Sequence, residues 1–285
     1  MLAAFCWGLS GVIAGALMAE GWNPFVLSFY RGGVGLLIVL VWLAARPQGC
    51  GLTSRQTWFW SAIAGVGITG NFAFYFLSIE TGSVAVAATL MYCAPVFVFL
   101  ASFALKMERP TAFKWTALAV VLLGIVLLTR IRETGSSELS GLSIIAGLLS
   151  GLSYALFIFG FKNAASHGSP QAILVIAFAV LVILLFGPAD SGQILDVLHS
   201  PKWPLFAILG LIGAGFSFFL YIVGLHHTTP AVASVVAMLE PVTASLCGFL
   251  ILQERLGALQ VLGMILILLT VTVLSVRSNV GKNPA

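Results

Sequence analysis

Glu240 stands in the middle of a long apolar stretch, directly before Pro241. A carboxyl group at such depth is costly in hydrocarbon and by default marks a working site. It can carry a proton or meet a ligand's ammonium group; the plainer alternative is a neutral acid hydrogen-bonded between helices. Arg31 lies about two turns into another apolar stretch, deep for a loop charge. Its planar fork suits a substrate carboxylate, and its long stem equally suits anchoring at the membrane interface. Pro95 and Pro241 each remove a backbone hydrogen bond in mid-stretch. The freed carbonyls need neighbours, water or solute, so the pair is expected to shape a cavity, as gating kinks or as static ones.

Around these lie weaker signals. Asn71, Tyr75 and Ser78 fall at helical spacing on one stripe, and Ser217 and Tyr221 repeat its first two positions further on. Tyr92 and Met238 match each other, and Trp7 and Tyr154 sit at similar depth. Together they could line an aromatic cavity for a neutral or aromatic side chain; singly, each also suits helix packing. Trp22, Trp42, Trp58 and Trp203 lie near stretch ends, where a membrane-interface belt explains them. Gly11-x-x-x-Gly15 and Gly147-x-x-x-Gly151 would let helices approach closely. His167, His199, His226 and His227 lack partners at ligand spacing, and Cys6, Cys50, Cys93 and Cys247 form no Cys-x-x-Cys pair, so no metal and no cofactor is expected. There is no phosphate-binding Walker loop. Gly8-Leu9-Ser10-Gly11 matches a short pattern of intramembrane serine proteases, but such a serine needs a histidine at membrane depth.

What must hold these residues is a membrane bundle. The 285 residues are 60% hydrophobic and 8% charged, with mean hydropathy +1.10. Soluble domains average about 25% charged residues, so lipid must cover most of this surface. Net charge is +4, but the cations sit between apolar runs and do not alternate with aromatics, so nucleic acid is not a partner. Ten spans of the required length are expected: Met1–Ala19, Pro24–Ala45, Thr57–Ile79, Ser83–Leu105, Thr111–Thr129, Leu139–Phe161, Pro170–Phe186, Trp203–Gly224, Pro230–Leu252 and Leu256–Val276. The first has no basic leader and does not read as a cleaved signal. With the N-terminus inside, the inner loops and tail carry eight Lys and Arg and the outer loops four. The inside excess of cations then predicts both termini in the cytoplasm.

The two halves are related by a shift of 146 residues, the separation of Pro24 and Pro170. Gly67 falls on Gly213, Tyr75 on Tyr221, Pro95-Val96 on Pro241-Val242 and Glu108-Arg109 on Glu254-Arg255. Each half holds five spans, and an odd number inverts the second half; solute sites of inverted-repeat transporters lie near the midplane between halves. The expected organisation is residues 1–130 as the first repeat, 139–276 as the inverted second, and 277–285 as a cytoplasmic tail. Glu108 and Glu254 each close the fourth helix of a half and suit the start of the next.

Ten spans as five plus five, with AVAATLMYCAPVFVFLASFALKMERPT repeated as AVASVVAMLEPVTASLCGFLILQERLG, resemble the drug/metabolite transporter superfamily, EamA type. Within it the chain looks most like the YddG-type exporters of aromatic and other neutral amino acids. The resemblance implies efflux through a bacterial inner membrane by alternating access, no enzymatic activity, and a monomer as the working unit. Partners would be a small neutral metabolite and the lipid bilayer. One departure is Thr270 where the family keeps a glycine, which the first half retains as Gly124; a packing effect is expected. A channel-like facilitator of the same fold and, distantly, a rhomboid-like protease are the competing readings.

Overall fold

A computed structural model describes residues 1–47, 50–129, 131, 140–251 and 256–280. Every regular element among them is helical. The first half gives α1 (Leu2–Ala19), α2 (Pro24–Ala45), α3 (Arg55–Glu80), α4 (Val84–Met91), α5 (Ala94–Ala104) and α6 (Ala112–Leu128). The second gives α7 (Gly141–Ala164), α8 (Pro170–Phe186), α9 (Ser191–His199), α10 (Trp203–Gly210), a π-helical segment (Leu211–Phe216), α11 (Ser217–His226), α12 (Pro230–Ala237), α13 (Leu239–Ile251) and α14 (Ala258–Val280). Starts are set by side chains that accept orphan backbone N–H groups. Asn23 accepts from Phe25, Thr111 from Lys114, Ser140 from Ser143 and Thr229 from Val232. Pro24, Pro170 and Pro230 occupy the first helical position, where a missing N–H costs nothing.

Eight helical stretches are at least 18 residues long and apolar enough to cross a membrane. The 17-residue α6 and α8 complete the ten expected spans. The fourth and ninth spans are each two helices, α4–α5 and α12–α13, broken just ahead of Pro95 and Pro241. α9 turns away from α8 by 115° and was not foreseen as a helix. It lies beside the start of α2, where Gln193 accepts from the Asn23 N–H and the Tyr30 hydroxyl donates to the Ile194 carbonyl.

Contacts at the helix ends fix an alternating arrangement. Lys114 pairs with Glu108 at 2.6 Å, and Glu108 also accepts from the Ala231 N–H at the start of α12. Lys162 donates to the Leu225 and Thr228 carbonyls on the same face. We call this the Met1 face. On the opposite, Glu20 face, Lys202 pairs with Glu20, Ser140 donates to the Thr81 carbonyl, and Gln260 to the Leu128 carbonyl. Glu254, Arg255 and Lys282 lie outside the described residues.

Packing follows the inverted repeat. α3 lies on α7 as α1 lies on the π segment and α11; α2 meets its counterpart α8, and α6 meets α14. These contacts are made by glycines. A Cβ at Gly67 would sit 2.6 Å from the Phe157 nitrogen, and one at Gly160 2.7 Å from the Ala64 nitrogen. Gly147 and Gly151 pack against Leu90, and Gly151 lies close to the Leu90 and Met91 carbonyls ahead of Pro95. Gly11 and Gly15 correct the expectation of close contact: nothing lies within 4 Å of a Cβ built on either. Gly124 meets α14 at Ile267 and Gly263, so Gly263 supplies the approach that Thr270 does not, and the Thr270 hydroxyl bonds its own helix at Leu266.

Candidate functional site

Three local irregularities meet at mid-depth. The first is the break before Pro241. Gly8 of α1 lets that helix press on it, since a Cβ there would lie 2.6 Å from the Glu240 carbonyl oxygen. The second is the π segment, a geometry often found at functional sites. There the Gly213 carbonyl accepts from Arg31 Nε at 2.8 Å, and a side chain at Gly213 would strike both Arg31 and Ser10. The third is the break before Pro95, flanked by Met91 and Tyr92.

A cavity of about 240 Å³ lies between them. Arg31 and Glu240 both line it, Arg31 with its guanidinium 5.1 Å from the centre of the Phe72 ring. Among the described residues they make no ion pair with each other. One basic and one acidic group thus face the same space. Trp7, Asn71, Tyr75, Tyr92 and Tyr154 line the same cavity. Asn71 also donates through its amide to the Ser150 carbonyl and hydroxyl, which fixes its orientation. The cavity reaches toward the Glu20 face past Met18, Leu27 and Phe76.

On the Met1 side an aromatic layer closes it. The Trp7 ring lies 5.0 Å from those of Phe218 and Tyr221, and Tyr154 lies 4.4 Å from Phe157. Phe161 and Phe178 back this layer through Phe218. A small pocket of about 30 Å³, bounded by Phe157 and Phe218, continues the cavity down to it.

The other residues singled out from sequence lie elsewhere. The Ser78 hydroxyl is locked to the Ser143 carbonyl at 2.8 Å between α3 and α7. Ser217 and Met238 are fully buried, and Tyr221 belongs to the aromatic layer. Pro95 is buried at the α4–α5 break, and Pro241 at the α12–α13 break. Ser10 donates to the Trp7 carbonyl, and the four histidines sit at helix ends. No metal-binding cluster of His, Cys, Asp or Glu occurs among the described residues. Ser28, Phe72 and Phe76 line the cavity and were not foreseen; Phe72 and Phe76 continue the Asn71 stripe, and Ser28 lies three residues before Arg31.

Known proteins share this architecture. A family model described as EamA-like transporter family matches residues 1–130 and 141–276. The uncharacterized transporter YwfM of Bacillus subtilis (strain 168) is 25% identical, with 99% of this chain and 94% of that protein covered. The threonine/homoserine exporter RhtA of Escherichia coli (strain K12) is 26% identical over 90% of this chain and 84% of its own length. An uncharacterized transporter of Archaeoglobus fulgidus is 34% identical over 69% of this chain and 68% of its own. A solved crystal structure superposes with a TM-score of 0.77 at 16% identity, covering 97% of this chain and 95% of that one, and speaks for the fold alone. A ten-span bundle broken twice at matched prolines, with a family match through both halves, leaves one assignment: the chain belongs to the EamA-like transporter family.

Proposed function

We propose that this transporter exports neutral amino acids, aromatic or otherwise hydrophobic, or similar small metabolites across a bacterial inner membrane. The observation that carries the reading is the pair Arg31 and Glu240, which face one cavity without joining each other. An α-amino acid brings a carboxylate for the Arg31 fork and an ammonium group for Glu240. Tyr75, Tyr92, Tyr154 and Trp7 then surround the side chain, and Asn71 offers the remaining polar contact. A nucleotide or sugar phosphate would need several cations, and Arg31 is the sole one among the described residues lining this cavity. The likeness to an exporter of threonine and homoserine supports a neutral amino acid as the class.

In this reading the Met1 face is cytoplasmic, as the distribution of Lys and Arg argues. The cavity then faces outward while the Trp7 layer seals the inside. The halves 1–130 and 139–276 exchange roles to turn the site inward, with Pro95 and Pro241 as the bending points. The test is counterflow in liposomes with a panel of amino acids, nucleobases and phosphorylated sugars. Saturable flux with counterflow for neutral amino acids is expected. Flux linear in gradient would make the protein a pore, and transport of phosphorylated sugars without amino acids would refute the substrate class.

A further inference from the structure

Six buried side-chain polar atoms find no hydrogen-bond partner among the described residues, and four belong to Trp7, Tyr154, Ser217 and Tyr221. Buried polar groups are nearly always satisfied, so each exception asks for a cause. These four gather in one place. Trp7 and Tyr221 are in ring contact, Ser217 lies one turn before Tyr221 on α11, and Tyr154 packs on the same Phe157 that Trp7 and Tyr221 touch. Trp7, at the centre of this group, lines two cavities. On one side is the Arg31–Glu240 cavity, with Trp7 and Tyr154 in its lining. On the other is a cleft of about 510 Å³ at the Met1 face, between α1, α11 and α12, with Trp7 and Tyr221 in its lining.

The cleft differs from its equivalent in the first half. Its counterpart in the first half, between α3, α4 and α7, is zipped shut. There Ser78 and Ser143 exchange hydrogen bonds, Asn71 and Ser150 do the same, and Gly147 packs on Leu90. A shift of 146 residues turns Ser78 into Gly224 and Asn71 into Ser217. Gly224 lines the cleft with nothing within 4 Å of a built Cβ, and Ser217 has no partner. At these two positions the second half carries no matching pair of hydrogen bonds among the described residues.

We infer that this cleft is a second binding station on the transport path, for the apolar side chain of the solute itself. The inference rests on the amino-acid reading above. When the Trp7 layer parts, the solute leaves the Arg31–Glu240 pair. Its side chain enters the apolar cleft between Leu2, Val232 and Val236, and Trp7 Nε1–H and the Tyr221 hydroxyl take up its carboxylate. Two of the four unpartnered groups, those of Trp7 and Tyr221, are thus partnered in the step that the closed layer precedes. The inner exit runs sideways between α1 and α12 rather than along the bundle axis.

The test places a removable block in the cleft. Cys6, Cys50, Cys93 and Cys247 are replaced, Val236→Cys is introduced, and the thiol is capped with a benzyl methanethiosulfonate. Amino-acid binding to the purified protein is expected to stay unchanged while liposome exchange collapses, and reduction should restore exchange. Leu152→Cys, exposed on α7, should exchange normally when capped. Separately, Tyr221→Phe should weaken apparent affinity from the cleft side by about tenfold, the cost of a lost hydrogen bond to a charged group, and leave the other side unchanged. Full exchange with the Val236→Cys cap in place would overturn the inference and leave the cleft to lipid acyl chains. If the parent binds no amino acid at all, the substrate reading fails first and takes this one with it; binding with cap-insensitive exchange sinks only the second station.

Discussion

Glu240 has Ala94 as its counterpart in the first half. The scaffold therefore closes without a carboxylate at that position, and the acid is present for something other than closure. Glu240→Gln keeps the size and hydrogen-bonding capacity but removes the charge. It should insert and fold as the parent does while amino-acid counterflow drops at least several-fold. Parental flux from both Glu240→Gln and Glu240→Ala would return the residue to a packing role and shift the site to the Asn71–Tyr75 stripe. Arg31 and Glu240 were legible because any charge is an outlier in a chain that is 8% charged. Phe72 and Phe76 were not, since lipid-facing and cavity-facing positions of a span are both apolar and no water-facing side marks the period; Ser28 was not, since a lone serine that can bond its own helix, as Ser28 does at Pro24, does not mark a face. Ser78, one turn further along the stripe from Tyr75, bonds the Ser143 carbonyl of α7.

At the scale of helices, the spans were readable to within a few residues because length, caps and prolines are local. Which glycines make contact was not, because the partner helix is remote in sequence. Gly11-x-x-x-Gly15 and Gly147-x-x-x-Gly151 are the same pattern, yet only the second meets another helix closely. Stability measurements should separate such cases. Gly67→Ala would force a Cβ against the Phe157 backbone and should cost ~1–3 kcal/mol, the usual range for overpacking. Gly11→Ala meets nothing and should leave the thermal midpoint unchanged or slightly higher, since alanine favours helix over glycine. Equal losses from both would show that the α3–α7 contact is looser than described. The π segment left no mark in hydropathy. Its extra residue is accommodated by the three glycines at 210, 213 and 215, which face Val34, Arg31 and Ile38.

For the molecule as a whole, the inverted repeat makes a topological prediction. Arg109→Cys and Arg255→Cys, one repeat apart, should react with an impermeant maleimide from opposite sides of the membrane. Reaction of both from one side would end the inverted-repeat reading of the two halves. The helix lengths carry a further consequence. α6 and α8 have 17 residues each, about 25 Å at 1.5 Å per residue. α2, by comparison, has 22 residues. A typical hydrocarbon core is ~30 Å thick, so these two spans fall short of it. α9 leaves α8 at 115° and presents Leu195 and Leu198 outward, so it would be drawn toward the acyl chains where the span before it ends early. A bilayer must thin locally around these helices, and thinning costs a fraction of a kcal/mol for each ångström of mismatch. Transport should therefore run faster in vesicles of shorter-chain phosphatidylcholine than in longer-chain, cholesterol-thickened ones of equal protein content. The same series on a variant with two leucines inserted after Leu184 should shift its optimum toward the thicker membrane.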